Sequence, residues 1–330
     1  MLIAATLLIS TAPTAHAALD APINLDNPRV VPIWTAQSEG QGASNRGWWS
    51  GYLYSSRIVL TAAHSTYTFD SNRNRQVNEP PFIMVGKPNS NIKDATGAVK
   101  VIKTFVGDYK LGKFGSGLND FIVYVLEKDL VPMPPSKLLT IDIERELVAG
   151  KSEVSYHGYG EYRDRCAPGE KAPCKKDWNN PNQSGSELPR VNKINLAATA
   201  DFTWMTADVK ADLQSEAVIS NHKACSGDSG GPITTMYQGA LLYLGQGLNG
   251  SNVYACGAGN AQSKDNDLQS YGFFSPVHKH LDLIKEAEAL VKLQPATATK
   301  SKVSITCTKG KKVKKVSGAN PKCPAGYKKK

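Results

Sequence analysis

The chain has 330 residues, 41% of them hydrophobic and 8% aromatic. That content excludes a disordered polymer and is enough apolar material for one large domain or two modest ones. The formal charge of +10 does not describe the whole chain: residues 300–330 hold eleven lysines and no acid, which leaves 28 basic and 29 acidic residues elsewhere.

The first element is the apolar run from Met1 to Ile9, followed by Ala15-His16-Ala17. It reads as a signal peptide cut after Ala17, although no basic residue precedes the apolar run. A membrane anchor needs about 20 apolar residues, and neither this run nor any later one is long enough. Residues 18–47 read as loop with one apolar patch, Val30-Val31-Pro32-Ile33-Trp34. Short β-rich runs follow at Gly51–Leu60, Phe82–Val85, Phe121–Leu126, Val154–Tyr159, Ala240–Leu244 and Tyr271–Val277, parted by Gly, Pro, Asn and Ser clusters. Many short strands with turn signals predict an all-β sandwich or barrel. One helix is expected near the end, where Leu281, Ile284, Ala287 and Val291 recur at three-to-four spacing with Leu283 and Leu290 alongside. The expected organisation is a signal peptide 1–17, a main domain 18–292, a linker 293–301 and a lysine-rich module 302–330. In that module two short β runs around a lysine turn predict a hairpin.

Six cysteines in a chain with a secretory leader suggest disulfides. Fifteen pairings are possible, and the spacing favours neighbours: Cys166–Cys174, Cys225–Cys256 and Cys307–Cys323. No CxxC or close Cys/His cluster supports a zinc site.

The chemistry centres on Cys225–Pro232, CSGDSGGP. A serine hydroxyl is a poor nucleophile without a base, a group that orients the base, and donors for the oxyanion it creates. His64 lies near the end of IVLTAAHS, residues 58–65, just beyond an expected strand. Asn119-Asp120 precedes the apolar run starting at Phe121. None of these persuades alone, since TAAH could hold an interior histidine and Asn-Asp is ordinary turn chemistry. In this order and spacing, His64, Asp120 and Ser229 resemble the chymotrypsin/trypsin-like serine peptidases. The resemblance spans about residues 30–292. It includes GYGE at 158–161, similar to the turn opening the family's second barrel, and YGFFSPV at 271–277, similar to the strand that closes the specificity pocket and carries Gly272.

The resemblance implies two six-stranded antiparallel barrels with the site between them and a C-terminal helix. It implies Ser229 as nucleophile, His64 as base, and Asp120 as the acid that fixes the imidazole tautomer. The backbone N–H groups of Gly227 and Ser229 would form the oxyanion hole, and glycine suits 227 because a side chain would obstruct the loop. The other histidines of the main domain, His157, His222, His278 and His280, receive no role. The mechanism requires no metal or organic cofactor.

Four departures stand out. Ser65 and Trp49 replace a cysteine pair usual beside the catalytic histidine, whereas Cys225 and Cys256 match the pair that flanks the pocket. Residues 161–190 are long for a surface loop. Lys223 stands where trypsin-like members carry the acid that selects Arg or Lys, so cleavage after basic residues is not expected. Arg29-Val30-Val31 resembles an activation point that would free Val30 to pair with Asp228, but Pro32 and Ile33 replace the usual glycines.

The basic tail resembles short two-cysteine tails of secreted actinobacterial proteins, and its charge favours an anionic cell-wall or surface polymer. Nucleic acid is not favoured, because Tyr327 is the tail's only aromatic. Two functions compete: a secreted serine endopeptidase acting on protein or peptide substrates, and a non-catalytic envelope-binding protein on the same fold.

Overall fold

The computed structural model describes residues 21–38, 41–43, 47–77, 82–112, 117–160, 187–203, 205–220, 227–251, 271–294, 303–310, 312–318 and 322–329. The signal segment, the Cys166–Cys174 pair, Lys223 and the Cys225–Cys256 pair lie outside them. Two compact units are present, Met1–Ala289 and Leu290–Lys330.

The first barrel has six strands: β1 Val30–Ala36, β2 Trp48–Ser55, β3 Ile58–Thr61, β4 Phe82–Val85, β5 Val99–Val106 and β6 Ile122–Leu126. They close in the order β1-β2-β3-β6-β5-β4, with β4 returning to β1. All pairs are antiparallel. The apolar patch at residues 30–34 is thus a strand rather than loop, and the expected run Gly51–Leu60 is two strands turning at Ser56-Arg57. Val31 and Ile33 join Leu53, Val59, Ile122 and Tyr124 in the barrel core, while Trp34 and Ala36 pack with Met84 in a separate cluster. Burial on both faces explains why β1 reads as an unbroken apolar run. Trp49, at the position of the missing cysteine, is also buried in the core.

The second barrel repeats the scheme with β7 Glu153–Gly158, β8 Arg190–Ala197, β9 Ala217–Ser220, β10 Ile233–Tyr237, β11 Ala240–Ser251 and β12 Tyr271–Pro276. The ring runs β7-β8-β9-β12-β11-β10 and closes from β10 to β7. Lys137–Leu138 adds a short parallel pairing outside β11. Closing both sheets leaves few unpaired edges, which is the physical benefit of a barrel over an open sheet.

Among the described residues three α-helices accompany these barrels: α1 Ile141–Ala149, α2 Ala207–Asp212 and α3 Leu281–Leu293. Thr140 and Thr206 cap the first two through their hydroxyls. The expected C-terminal helix is α3, entered through a turn of 3-10 helix at Val277–His280, with Ile284 and Ala287 buried. Among the described residues no helix is long and apolar enough to cross a membrane.

In the second unit, β13 Val303–Lys309 pairs with β14 Lys312–Gly318, forming the expected hairpin, and with β15 Lys328–Lys329. Cys307 and Cys323 are bonded, with Cα atoms 5.6 Å apart. Cys307 is fully buried while every described lysine of the sheet is exposed.

Candidate active site

The site is assembled from chain segments that leave the ends of strands. After β3, the small residues Ala62 and Ala63 are fully buried and let the chain turn tightly into a short 3-10 helix that carries His64. Before β6, Asn119 adopts φ +52, a left-handed conformation that asparagine tolerates better than most residues. Its amide donates to Glu216 Oε1 at 3.1 Å, and its side chain to the Asp108 carbonyl at 3.1 Å. This kink directs Asp120 inward. Ser229 lies ahead of β10 in a turn entered through Gly227 at φ +92.

The three side chains meet. His64 Nδ1 lies 2.5 Å from Asp120 Oδ2, and His64 Nε2 lies 2.6 Å from Ser229 Oγ. A second contact fixes the pair, since the His64 backbone N–H donates to Asp120 Oδ1 at 2.8 Å. The Asp120 side chain is 2% exposed and that of His64 28%, so the acid is sealed while the base keeps an open edge. Burial works against a charged His64, but the charge of Asp120 and its hydrogen bond outweigh it and raise the imidazole above its usual 6.5.

The loop around Ser229 is held by both barrels. The Ser50 N–H donates to the Ser229 carbonyl at 2.9 Å, and Ser50 Oγ to the Gly227 carbonyl at 3.0 Å. The Asp228 carbonyl accepts from Tyr156 Oη at 2.5 Å, and the Asp228 carboxylate from the Gly160 N–H at 2.7 Å. Gln246 Nε2 donates to the Thr61 carbonyl at 2.8 Å, tying β11 to the end of β3. A Cβ on residue 227 would lie 2.6 Å from Trp48 Nε1, so the expected need for glycine has a steric cause besides φ.

A family model for trypsin matches residues 34–284. The chain belongs to the trypsin family. The match covers well over half of the chain, and with it the closed pair of barrels makes this a serine peptidase domain. No curated protein matches.

The other expected residues of this trypsin-family domain fall as follows. Gly272 is buried in β12, between Ile219 of β9 and Gly250 of β11. Val30 begins β1, packed with Ile92 and Tyr159, and its N–H faces the Asn27 carbonyl at 3.4 Å. His280 is buried, its Nε2 2.6 Å from Ser275 Oγ and its ring stacked on Phe121. His157 pairs with Thr234 Oγ1 at 3.2 Å. Among the described residues no cluster of His, Cys, Asp and Glu could hold a metal.

Sequence reading missed Ser50, Tyr156 and Glu216. Ser50 is a polar residue inside the otherwise apolar run of β2, which is the one sequence signal that pointed to it.

Proposed function

We propose that this chain is an extracellular serine endopeptidase working through His64, Asp120 and Ser229. The observation that carries the reading is the hydrogen-bond chain from Asp120 through His64 to Ser229 Oγ. Ser229 Oγ attacks the substrate carbonyl carbon while His64 Nε2 takes its proton. Asp120 holds Nδ1–H, which fixes the tautomer and stabilises the imidazolium. The oxyanion is received by the N–H groups of Gly227 and Ser229. Collapse breaks the C–N bond, His64 returns the proton to the leaving amine, and an acyl-enzyme remains on Ser229. Water, deprotonated by His64, then releases the acid product and restores the serine.

Lys223, which on the family resemblance takes the position of the acid that selects Arg or Lys, would repel a cationic substrate side chain, so cleavage after Arg or Lys is disfavoured. The Cys307–Cys323 disulfide and the family favour an oxidising, extracellular setting. The lysine sheet is assigned an anionic surface polymer, with binding that weakens as salt rises. Unchanged retention on an anionic polymer at high salt would count against that.

Exposure to a fluorophosphonate tests the main reading. Ser229 Oγ should form a bond to phosphorus with loss of fluoride, adding one adduct by intact mass, and Ser229→Ala should add none. A folded wild-type protein that stays unlabelled would favour the non-catalytic envelope binder.

A further inference from the structure

Three consecutive carbonyls around the nucleophile are held by donors. Gly227 O takes Ser50 Oγ, Asp228 O takes Tyr156 Oη and the Gly231 N–H, and Ser229 O takes the Ser50 N–H. In a planar trans peptide the C=O and N–H point in opposite directions. The Ser229 N–H shares its peptide plane with the Asp228 carbonyl. Holding that carbonyl against Tyr156 therefore aims the Ser229 N–H to the opposite side of the plane.

The two hydroxyls are themselves fixed. Tyr156 sits in β7 between Asn192 of β8 and Ile233 of β10, and its body is buried. Ser50 Oγ receives the Tyr159 N–H at 2.9 Å, which leaves its own proton for the Gly227 carbonyl. The Gly231 N–H belongs to the same loop and moves with it, so it cannot set the loop's orientation against the barrels.

We propose, resting on the peptidase reading above, that two hydroxyls, one from each barrel, are positioning residues for the oxyanion donors: Tyr156 aims the Ser229 N–H directly through the shared Asp228–Ser229 peptide plane, and Ser50, by holding the Gly227 carbonyl, fixes the backbone of Gly227 between the two donors. Neither touches the reacting atoms.

The test compares full-length wild type with Tyr156→Phe and Ser50→Ala, using p-nitrophenyl acetate and fluorescently labelled casein. Each change removes one oxygen and keeps the rest of the side chain, and the two report independently if one variant misfolds. Removing an oxyanion donor outright costs about 10²–10³ in kcat; a retained but loosened donor should cost about ten-fold in kcat, with KM within about two-fold. Fluorophosphonate labelling should still reach one adduct per chain, only more slowly. The acid limb of the kcat/KM profile, which reports His64, should not move. Either kcat within about two-fold of wild type in both variants, or a loss that merely tracks a smaller labelled fraction, would overturn the assignment. An unlabelled wild type would instead overturn the peptidase reading itself.

Discussion

Gly160→Ala is the substitution whose outcome can be worked most directly from the structure. Asp228 is buried at 1% exposure, and the Gly160 N–H donates to its Oδ1 at 2.7 Å. A Cβ on residue 160 would lie 2.3 Å from Asp228 Cγ and 2.4 and 2.6 Å from the two carboxylate oxygens. Non-bonded carbon contacts settle near 3.5–4.0 Å, so the carboxylate must retreat by about 1 Å or more. Overpacking of this kind costs about 1–3 kcal/mol, and losing the charged hydrogen bond about 1.5–3 kcal/mol. A fall in Tm of about 5–15 °C follows for a domain of this size. Because Asp228 directly precedes the nucleophile, the rate of fluorophosphonate labelling should fall as well. Thermal unfolding followed by near-UV circular dichroism, together with labelling kinetics, measures both. A variant whose Tm stays within about 1 °C and whose labelling rate stays within about two-fold would refute the reasoning.

Asp120→Asn removes the charge that raises His64 against burial, so the acid limb of kcat/KM should move from above 6.5 to below it. The rate should drop by about 10⁴-fold, the size carried over from the family's template, and an unmoved acid limb would show that Asp120 does not set the base. Acid should destabilise the fold. Burial depresses His157 to about 4 and His280 to about 3. Both lie below the ordinary 6.5, so the unfolded chain binds more protons, and stability is lost as pH falls from about 6.5 towards 3. Urea midpoints at pH 7 and pH 4 should converge in His280→Gln, and an undiminished difference would rule its titration out. Arg29 donates to the carbonyls of Leu53, Tyr54 and Pro134 at 3.0, 2.9 and 3.0 Å, while Val30 is committed to β1. Active protein should therefore retain residues ahead of Val30, and an active species beginning at Val30 by intact mass would contradict this.

The residues expected to do chemistry were legible because each sits in a stretch whose neighbours are constrained by backbone packing. GYGE is an example: the Asp228 carboxylate occupies the space over both Gly158 and Gly160, so the two glycines record a contact with a residue far along the chain. The fold was legible in part. β5 and β8 escaped because VKVIKTFV and RVNKINLA mix lysine, arginine and asparagine into partly exposed strands and present no apolar run. β1 was hidden for the opposite reason, as burial on both faces erased its alternation. Ser50 and Tyr156 could not be ranked from sequence, because their hydroxyls matter only through carbonyls far along the chain.

Stability and aim have different sources in this molecule. The first barrel has an apolar core of its own, and apolar contacts join it to the second, Tyr52 stacking on Tyr243 and Val30 packing on Tyr159, but no one core holds His64, Asp120 and Ser229 together by itself. His64 and Asp120 come from the first barrel and Ser229 from the second, so the 2.6 Å contact between His64 Nε2 and Ser229 Oγ is set by how the barrels dock. The bonds nearest that contact are polar and specific: Ser50 to the Ser229 and Gly227 carbonyls, and Gln246 to the carbonyl at the end of β3. A lost methylene in a core lowers stability broadly. A lost hydroxyl at the seam leaves its buried partners unsatisfied at a cost of about 1–3 kcal/mol and, beyond that, frees a donor's direction, to which catalysis by preorganised donors is sensitive in the molecules that remain folded. Substitutions at the seam should therefore lower the kcat of the folded fraction as well as Tm, whereas core truncations should lower Tm with little change in that kcat.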